Sequence, residues 1–148
     1  IEDTLAGTSI SIIDTRTDGI DRMLAVSNVQ DTLVTYPDVA CLVGLWSYNG
    51  PAILNAVRDS GKLGQVKIVC FDEEDETLRG VKEGHIFGTV VQQPYEFGYR
   101  SVQLLVQLAK GDQSGIPQSK QIYVPTRSIQ TGNVDEFWAE LKRLTGKS

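Results

Sequence analysis

Asp72 closes the apolar run Val66-Lys67-Ile68-Val69-Cys70-Phe71, and Gln92 follows a second run, Gly88-Thr89-Val90-Val91, with a helical segment between them. The reading is strand, helix, strand, with one polar side chain just past each strand. In open parallel sheets ligands sit beyond the carboxyl ends of the strands, where loops converge and polar groups point into one crevice. An ionised Asp only accepts hydrogen bonds, whereas a Gln amide donates and accepts. The pair suits a small molecule carrying several hydroxyls, such as a sugar.

The elements that must hold this pair alternate along the chain. Ser9-Ile10-Ser11-Ile12-Ile13-Asp14 alternates and then runs apolar, which predicts a strand near one edge of a sheet. Thr17-Asp18-Gly19 is a turn. From Asp21 to Tyr36, Val26, Val29 and Leu33 form a helical stripe that Pro37-Asp38 stops. Val39 to Leu45 is continuously apolar and predicts a strand buried on both faces of a parallel sheet. Asn49-Gly50-Pro51 opens a helix whose inner face is Ile53, Leu54 and Val57, and Ser60-Gly61 closes it. A third strand ends at Asp72, a short helix through Leu78 and Val81 ends at Gly84, and a fourth strand covers Ile86 to Val91. The helix from Glu96 to Lys110 carries two adjacent apolar stripes, so it calls for packing on more than one side. Gln121 to Pro125 reads as a strand that Arg127-Ser128-Ile129 continues. Asn133 caps a last helix with Glu136 placed for a capping box, and Phe137, Leu141 and Leu144 form its stripe. Alternation throughout is the pattern of a layered α/β fold.

Composition narrows the function classes. Fourteen Lys and Arg against nineteen Asp and Glu give a net charge of −5. With no basic cluster to track phosphates, nucleic acid is excluded as a partner. No apolar stretch approaches the ~20 residues that cross a bilayer, so a water-soluble chain is expected. Ile1-Glu2-Asp3-Thr4 has neither a basic start nor an apolar segment nor an initiator Met, as expected of a processed or cut chain. Cys41 and Cys70 fall in predicted core strands and are read as buried free thiols, too far apart to bridge. The acidic run Glu73-Glu74-Asp75-Glu76 lacks the interleaved spacing of a calcium loop and suits the start of a helix, which leaves open that Asp72 is only its cap. His85 is the sole histidine, and no Cys or His completes a metal site around it. Gly44, Gly50 and Gly61 do not form a dinucleotide fingerprint. No catalytic residue, metal or cofactor is expected.

Taken together, Tyr36-Pro37-Asp38-Val39, Ala56-Val57-Arg58-Asp59-Ser60-Gly61-Lys62, Cys70-Phe71-Asp72, Lys82-Glu83-Gly84 and Thr89-Val90-Val91-Gln92-Gln93-Pro94-Tyr95 with Gly98 resemble the periplasmic sugar-binding proteins of ABC transporters, of the ribose-binding type. The resemblance covers nearly the whole chain in order. It implies a type I solute-binding fold: a three-layer α/β sandwich with a mostly parallel, flavodoxin-like sheet. Two lobes are joined by a three-stranded hinge, and this chain resembles the second. Residues 1–92 would then be the carboxyl-terminal sugar-binding lobe lacking its first strand and helix. Residues 93–124 would be a hinge crossing with a helix that packs on the other lobe, and residues 125–148 the hinge return and tail helix. Ser9–Asp14 and Ala40–Leu45 would flank a gap of one strand. The uncovered helix would drive association of the fragment with itself or with another chain.

Carried across residue by residue, the resemblance makes Asp72 and Gln92 ligand contacts. Trp46 stands where the ribose-binding type has an Asn. Its indole offers a flat face to the C–H side of a sugar ring and one N–H donor. Asn49 can restore an amide at the mouth of the crevice. Ile20 replaces an aromatic residue before Asp21-Arg22, so that stacking position is lost. The function implied is the substrate-binding component of an ABC sugar transporter, periplasmic or lipid-anchored outside the cell in the parent protein. It would hold a ribose-like pentose or a hexose and deliver it to a membrane permease. The alternative is the effector-binding core of a LacI-type transcriptional repressor, which shares the fold. An enzyme is disfavoured, because no nucleophile and base pair or phosphate-binding loop is visible.

Overall fold

The computed structural model describes residues 1–146, so the last two residues of the expected 125–148 tail lie outside the described residues. Four strands form one sheet in the order β1 (Cys41–Val43), β2 (Lys67–Phe71), β3 (Gly88–Val91), β4 (Arg127–Ile129). The first three are parallel, and β4 runs antiparallel to β3. Six helices accompany them: α1 (Glu2–Leu5), α2 (Arg22–Thr35), α3 (Asn49–Asp59), α4 (Asp75–Lys82), α5 (Pro94–Ala109) and α6 (Val134–Thr145). This is the expected α/β class with a mostly parallel sheet.

The local reasons are visible in the residues. Asp21 caps α2 by accepting from the Met23 and Leu24 amides at 2.8 and 3.2 Å. Gly61, at φ 69°, turns the chain out of α3, a conformation that Gly adopts without a Cβ clash. Alternation along β2 sends Ile68 and Cys70 to the helix-covered face, where both are fully buried. There they meet Val29 and Leu33 of α2, Leu54 and Val57 of α3, and Leu78 and Val81 of α4 in one cluster. Val134 and Phe137 of α6 and Ile129 of β4 complete that cluster. Each such side chain contributes on the order of 1.5–3 kcal/mol of burial energy. On the opposite face Lys67 is exposed and Val69 and Phe71 are half-buried. Of the expected sandwich, the described residues thus form a sheet with one fully covered face.

Several expectations are corrected. Ser9–Asp14 is not a strand: no ladder partner lies beside it, and Ile10, Ile12 and Ile13 are exposed. β1 is accordingly an edge strand, shorter than Val39–Leu45 and not buried on both faces; Val43 is 45% exposed. Gln121–Pro125 likewise forms no strand, and only Arg127–Ile129 pairs. Asn133 occupies the cap position of α6 but forms no capping box. Its side chain accepts from the Gln130 amide and donates to the Ser128 carbonyl instead, which ties down the β4–α6 turn. Helix α5 has no buried residue at all; Tyr95, Tyr99, Val102 and Leu105 stand exposed. Its two apolar stripes are left unburied among the described residues; the loop at Gly115 lies close, where an added Cβ would stand 3.1 Å from Leu104 Cδ1.

The cysteines are free, but only Cys70 is buried; Cys41 is exposed because it lies on the edge strand. Burial raises both thiols above their ordinary value, the Cys70 thiol up to about 12. A thiolate is the reactive species. Iodoacetamide at mildly alkaline pH is therefore expected to add once to the native protein, at Cys41, and twice after unfolding. Intact mass with peptide mapping checks this, and early modification of Cys70 would contradict the packing around β2.

Candidate functional site

Because β1, β2 and β3 are parallel, the loops leaving their carboxyl ends gather along one edge of the sheet. Trp46 lies in the turn after β1, Asp72 directly after β2, Gln92 directly after β3, and Asn49 begins α3. The helices between the strands impose this arrangement, since each parallel strand must return to the same end before it starts.

Asp72 is held in an uncommon backbone state, at φ 66°. Its N–H donates to the Val90 carbonyl at 2.9 Å, and its carbonyl accepts from the buried Thr89 hydroxyl at 2.7 Å. Both bonds tie it to β3 while the chain turns out of β2. Asp and Asn are the side-chain-bearing residues that tolerate the left-handed region best. Asp72 does not cap α4: the cap position is Glu74, which makes no side-chain cap bond. Among the described residues the Asp72 carboxylate accepts no hydrogen bond, and the residue is half-buried. The neighbouring Glu73 carboxyl is raised above its ordinary value, first by burial and second by the Asp72 charge.

Gln92 is exposed, and the task of tying the crossing segments falls to Gln93, whose amide donates to the Pro125 carbonyl at 2.7 Å. The Gln92 amide is thereby left available. Trp46 is 63% exposed, so its indole is a surface plane and not a core residue. Its backbone is fastened: the Trp46 N–H donates to Asn49 Oδ1 at 2.9 Å, and the Asn49 N–H donates to the Trp46 carbonyl at 2.9 Å. Asn49 Nδ2 donates to Asp18 Oδ2 at 2.9 Å, which leaves the amide one N–H and one lone pair to spare. Ile20, at the lost stacking position, is 81% exposed with φ 69°.

Three residues at this edge were not anticipated from the sequence. Asp18 accepts from the Tyr48 hydroxyl at 2.6 Å, and Arg22 lies 5.4 Å over the Tyr48 ring while donating to Glu74 at 3.1 Å. Asp18 is one polar residue in a turn, and Tyr48 sits between Ser47 and Asn49 without a periodic signal. Neither position announces a partner thirty residues away. The Tyr48 hydroxyl, more than any other group, holds the Asp18 carboxyl below its ordinary 3.8, while burial works against it. A depressed folded value means that the bonded cluster is stabilising above the unfolded value and is lost only as pH falls through the lower folded one. Trp46 emission is thus expected to stay constant on acidification through 3.8 and to change only below it. An acid midpoint at or above that value would show that the cluster does not form.

Among the described residues no three His, Cys, Asp or Glu side chains are grouped to hold a metal ion, the acidic run after Asp72 included. No helix of the described residues is long and apolar enough to cross a membrane. Along this edge stand carboxylates, amides and an indole, groups that can accept, donate and stack. The model of the periplasmic binding protein domain family matches residues 1–113. This chain belongs to that family. Among its relatives, the ribose import binding protein of Salmonella typhimurium is 23% identical over 111 residues, 75% of this chain and 37% of that protein. An arabinose-binding protein from Geobacillus stearothermophilus is 31% identical, with a TM-score of 0.69 over 79% of this chain and 42% of that one. An ABC-transporter solute-binding protein from Agrobacterium vitis, solved with α-D-tagatopyranose, is 28% identical with a TM-score of 0.74 over 84% of this chain and 41% of that one. The chain spans 37% of the length of the curated relatives it matches. As a periplasmic binding protein domain it carries the α/β lobe with the mostly parallel sheet, and the resemblance seen in its motifs is borne out at the level of the family.

Proposed function

We propose that this chain is the carboxyl-terminal lobe of a substrate-binding component of an ABC sugar transporter, which holds a monosaccharide, a pentose or a hexose, in an inter-lobe cleft and delivers it to a membrane permease. The observation that carries the reading is the common edge itself. The unengaged Asp72 carboxylate, the free Gln92 amide and the exposed Trp46 plane leave adjacent strands of one parallel sheet. In this reading Asp72 accepts from two neighbouring hydroxyls, Gln92 bonds a third, and Trp46 covers the C–H face of the ring. Asn49 offers its spare N–H from a fixed position. The sugar names of the relatives support the same ligand class. The parent protein would act in the periplasm, or at the outer cell surface through a lipid anchor. Residues 93–124 would carry α5 to the other lobe, and that lobe would cover the exposed face of α5; the isolated chain would cover it by self-association.

Calorimetric titration of the intact parent protein with a panel of pentoses and hexoses tests this. Saturable binding of at least one monosaccharide, weakened by about tenfold in Trp46→Ala through loss of ring stacking, is the expected result. A panel in which no monosaccharide binds, with the protein folded, would overturn the reading. The 148-residue chain alone is expected to bind far more weakly, because hydroxyls pointing to the other lobe go unmet.

A further inference from the structure

We propose that Asp18 is a positioning residue of this site, which sets Trp46 against the Asp72 loop through a chain of bonds that it anchors. The proposal rests on the sugar-binding reading for its consequence, and on the geometry alone for its mechanism.

Asp18 Oδ2 accepts from Asn49 Nδ2, and Asn49 Oδ1 in turn accepts the Trp46 N–H, so a two-bond relay runs from the carboxylate to the indole-bearing backbone. Asp18 Oδ1 accepts from the Tyr48 hydroxyl at 2.6 Å and from the Ile20 N–H at 3.0 Å. Tyr48 is buried, and its ring carries the Arg22 guanidinium, which reaches across to Glu74, two residues beyond Asp72. The carboxylate thus ties its own turn to the turn after β1, and Arg22, seated on the Tyr48 ring, separately reaches the loop after β2.

The relay is directional. A carboxylate can accept from Asn49 and Tyr48 together because it has no hydrogens of its own. Asparagine at position 18 has nearly the same shape but one oxygen only. With that oxygen toward Asn49 the relay survives and the NH2 meets the Ile20 N–H; with it toward Ile20 and Tyr48 the NH2 meets the Asn49 NH2. Asp18→Ala removes both oxygens and is the substitution that breaks the relay in every orientation.

The test uses the intact parent protein labelled with 5-fluorotryptophan, with the Trp46 resonance assigned by Trp46→Phe. In Asp18→Ala the fluorine resonance of Trp46 is expected to shift or broaden while that of Trp138 stays in place, and monosaccharide affinity is expected to fall about 10-fold. Tyr48→Phe, which removes one of the three bonds to Asp18 and spares the relay, is expected to move the Trp46 resonance less and to keep affinity within about threefold. An unchanged Trp46 resonance in Asp18→Ala overturns the proposal, whatever the protein binds. So does a shifted resonance with undiminished affinity, because Trp46 would then have moved without consequence. If the wild-type protein binds no monosaccharide, the sugar reading fails by itself, and the fluorine spectra still decide whether Asp18 positions Trp46.

Discussion

In the intact binding protein, Asp72→Gly is expected to lower monosaccharide affinity by about 100-fold or more while leaving the folded state intact. A hydrogen bond to an ionised acceptor contributes about 1.5–3 kcal/mol, and every 1.4 kcal/mol is about tenfold in affinity, so two lost bonds account for that factor. The backbone decides which substitutions read this cleanly. At φ 66° an alanine would add a left-handed penalty of roughly 1–2 kcal/mol, which would confuse lost contacts with strain. Glycine removes the carboxylate without that penalty. Asparagine keeps the backbone preference and one acceptor, and is expected to lose about 10-fold. Calorimetry for affinity and a thermal melt for stability separate the two effects. An Asp72→Gly protein that still binds at wild-type strength would remove Asp72 from the site.

The largest stability effect is expected where α3 and α4 meet. A Cβ added to Gly50 would overlap the Thr77 hydroxyl oxygen and stand 3.3 Å from the Cys70 sulfur. Thr77 is fully buried and its hydroxyl has no hydrogen-bond partner among the described residues. Gly50→Ala is therefore expected to destabilise by about 1–3 kcal/mol, more than the up to ~1 kcal/mol that alanine contributes to a helix over glycine. In a chain of this size each kcal/mol lowers Tm by about 2–4 °C. Thr77→Ala alone should be nearly neutral, since it removes an unpartnered buried hydroxyl and leaves a small void. The double variant should recover most of the loss, with a coupling of about 1 kcal/mol or more. Strict additivity would mean that the two helices are not held apart by this contact. Gly50 follows Asn49, so a displaced α3 would also disturb the turn that carries Trp46.

Much of this architecture was legible in local pattern. The stripes of α2 and α3, the glycine turns after α3 and α4, and the central run of β2 depend on neighbours within a few positions, which the chain displays directly. The common edge of Trp46, Asp72 and Gln92 followed from the same logic, because helices joining parallel strands must return each strand to one end. The failures have a different cause. Ile10, Ile12 and Ile13 have the composition of a strand, yet a strand exists only where another supplies its ladder. The absence of that partner also made β1 an edge and exposed Cys41.

The amino-acid sequence by itself determined the α/β class, the family and the order of the elements from α2 to α5, since periodicity, turn residues and motif spacing are short-range properties. Tertiary structure alone decided which acceptors stay free and which are consumed. Asp72 spends only its backbone groups, on Thr89 and Val90, while Asn49 shares its amide with Asp18. It also left α5 without a buried residue. Hydrogen bonds and packing between residues distant along the chain form only after the strands have brought them together, so no window of sequence contains them.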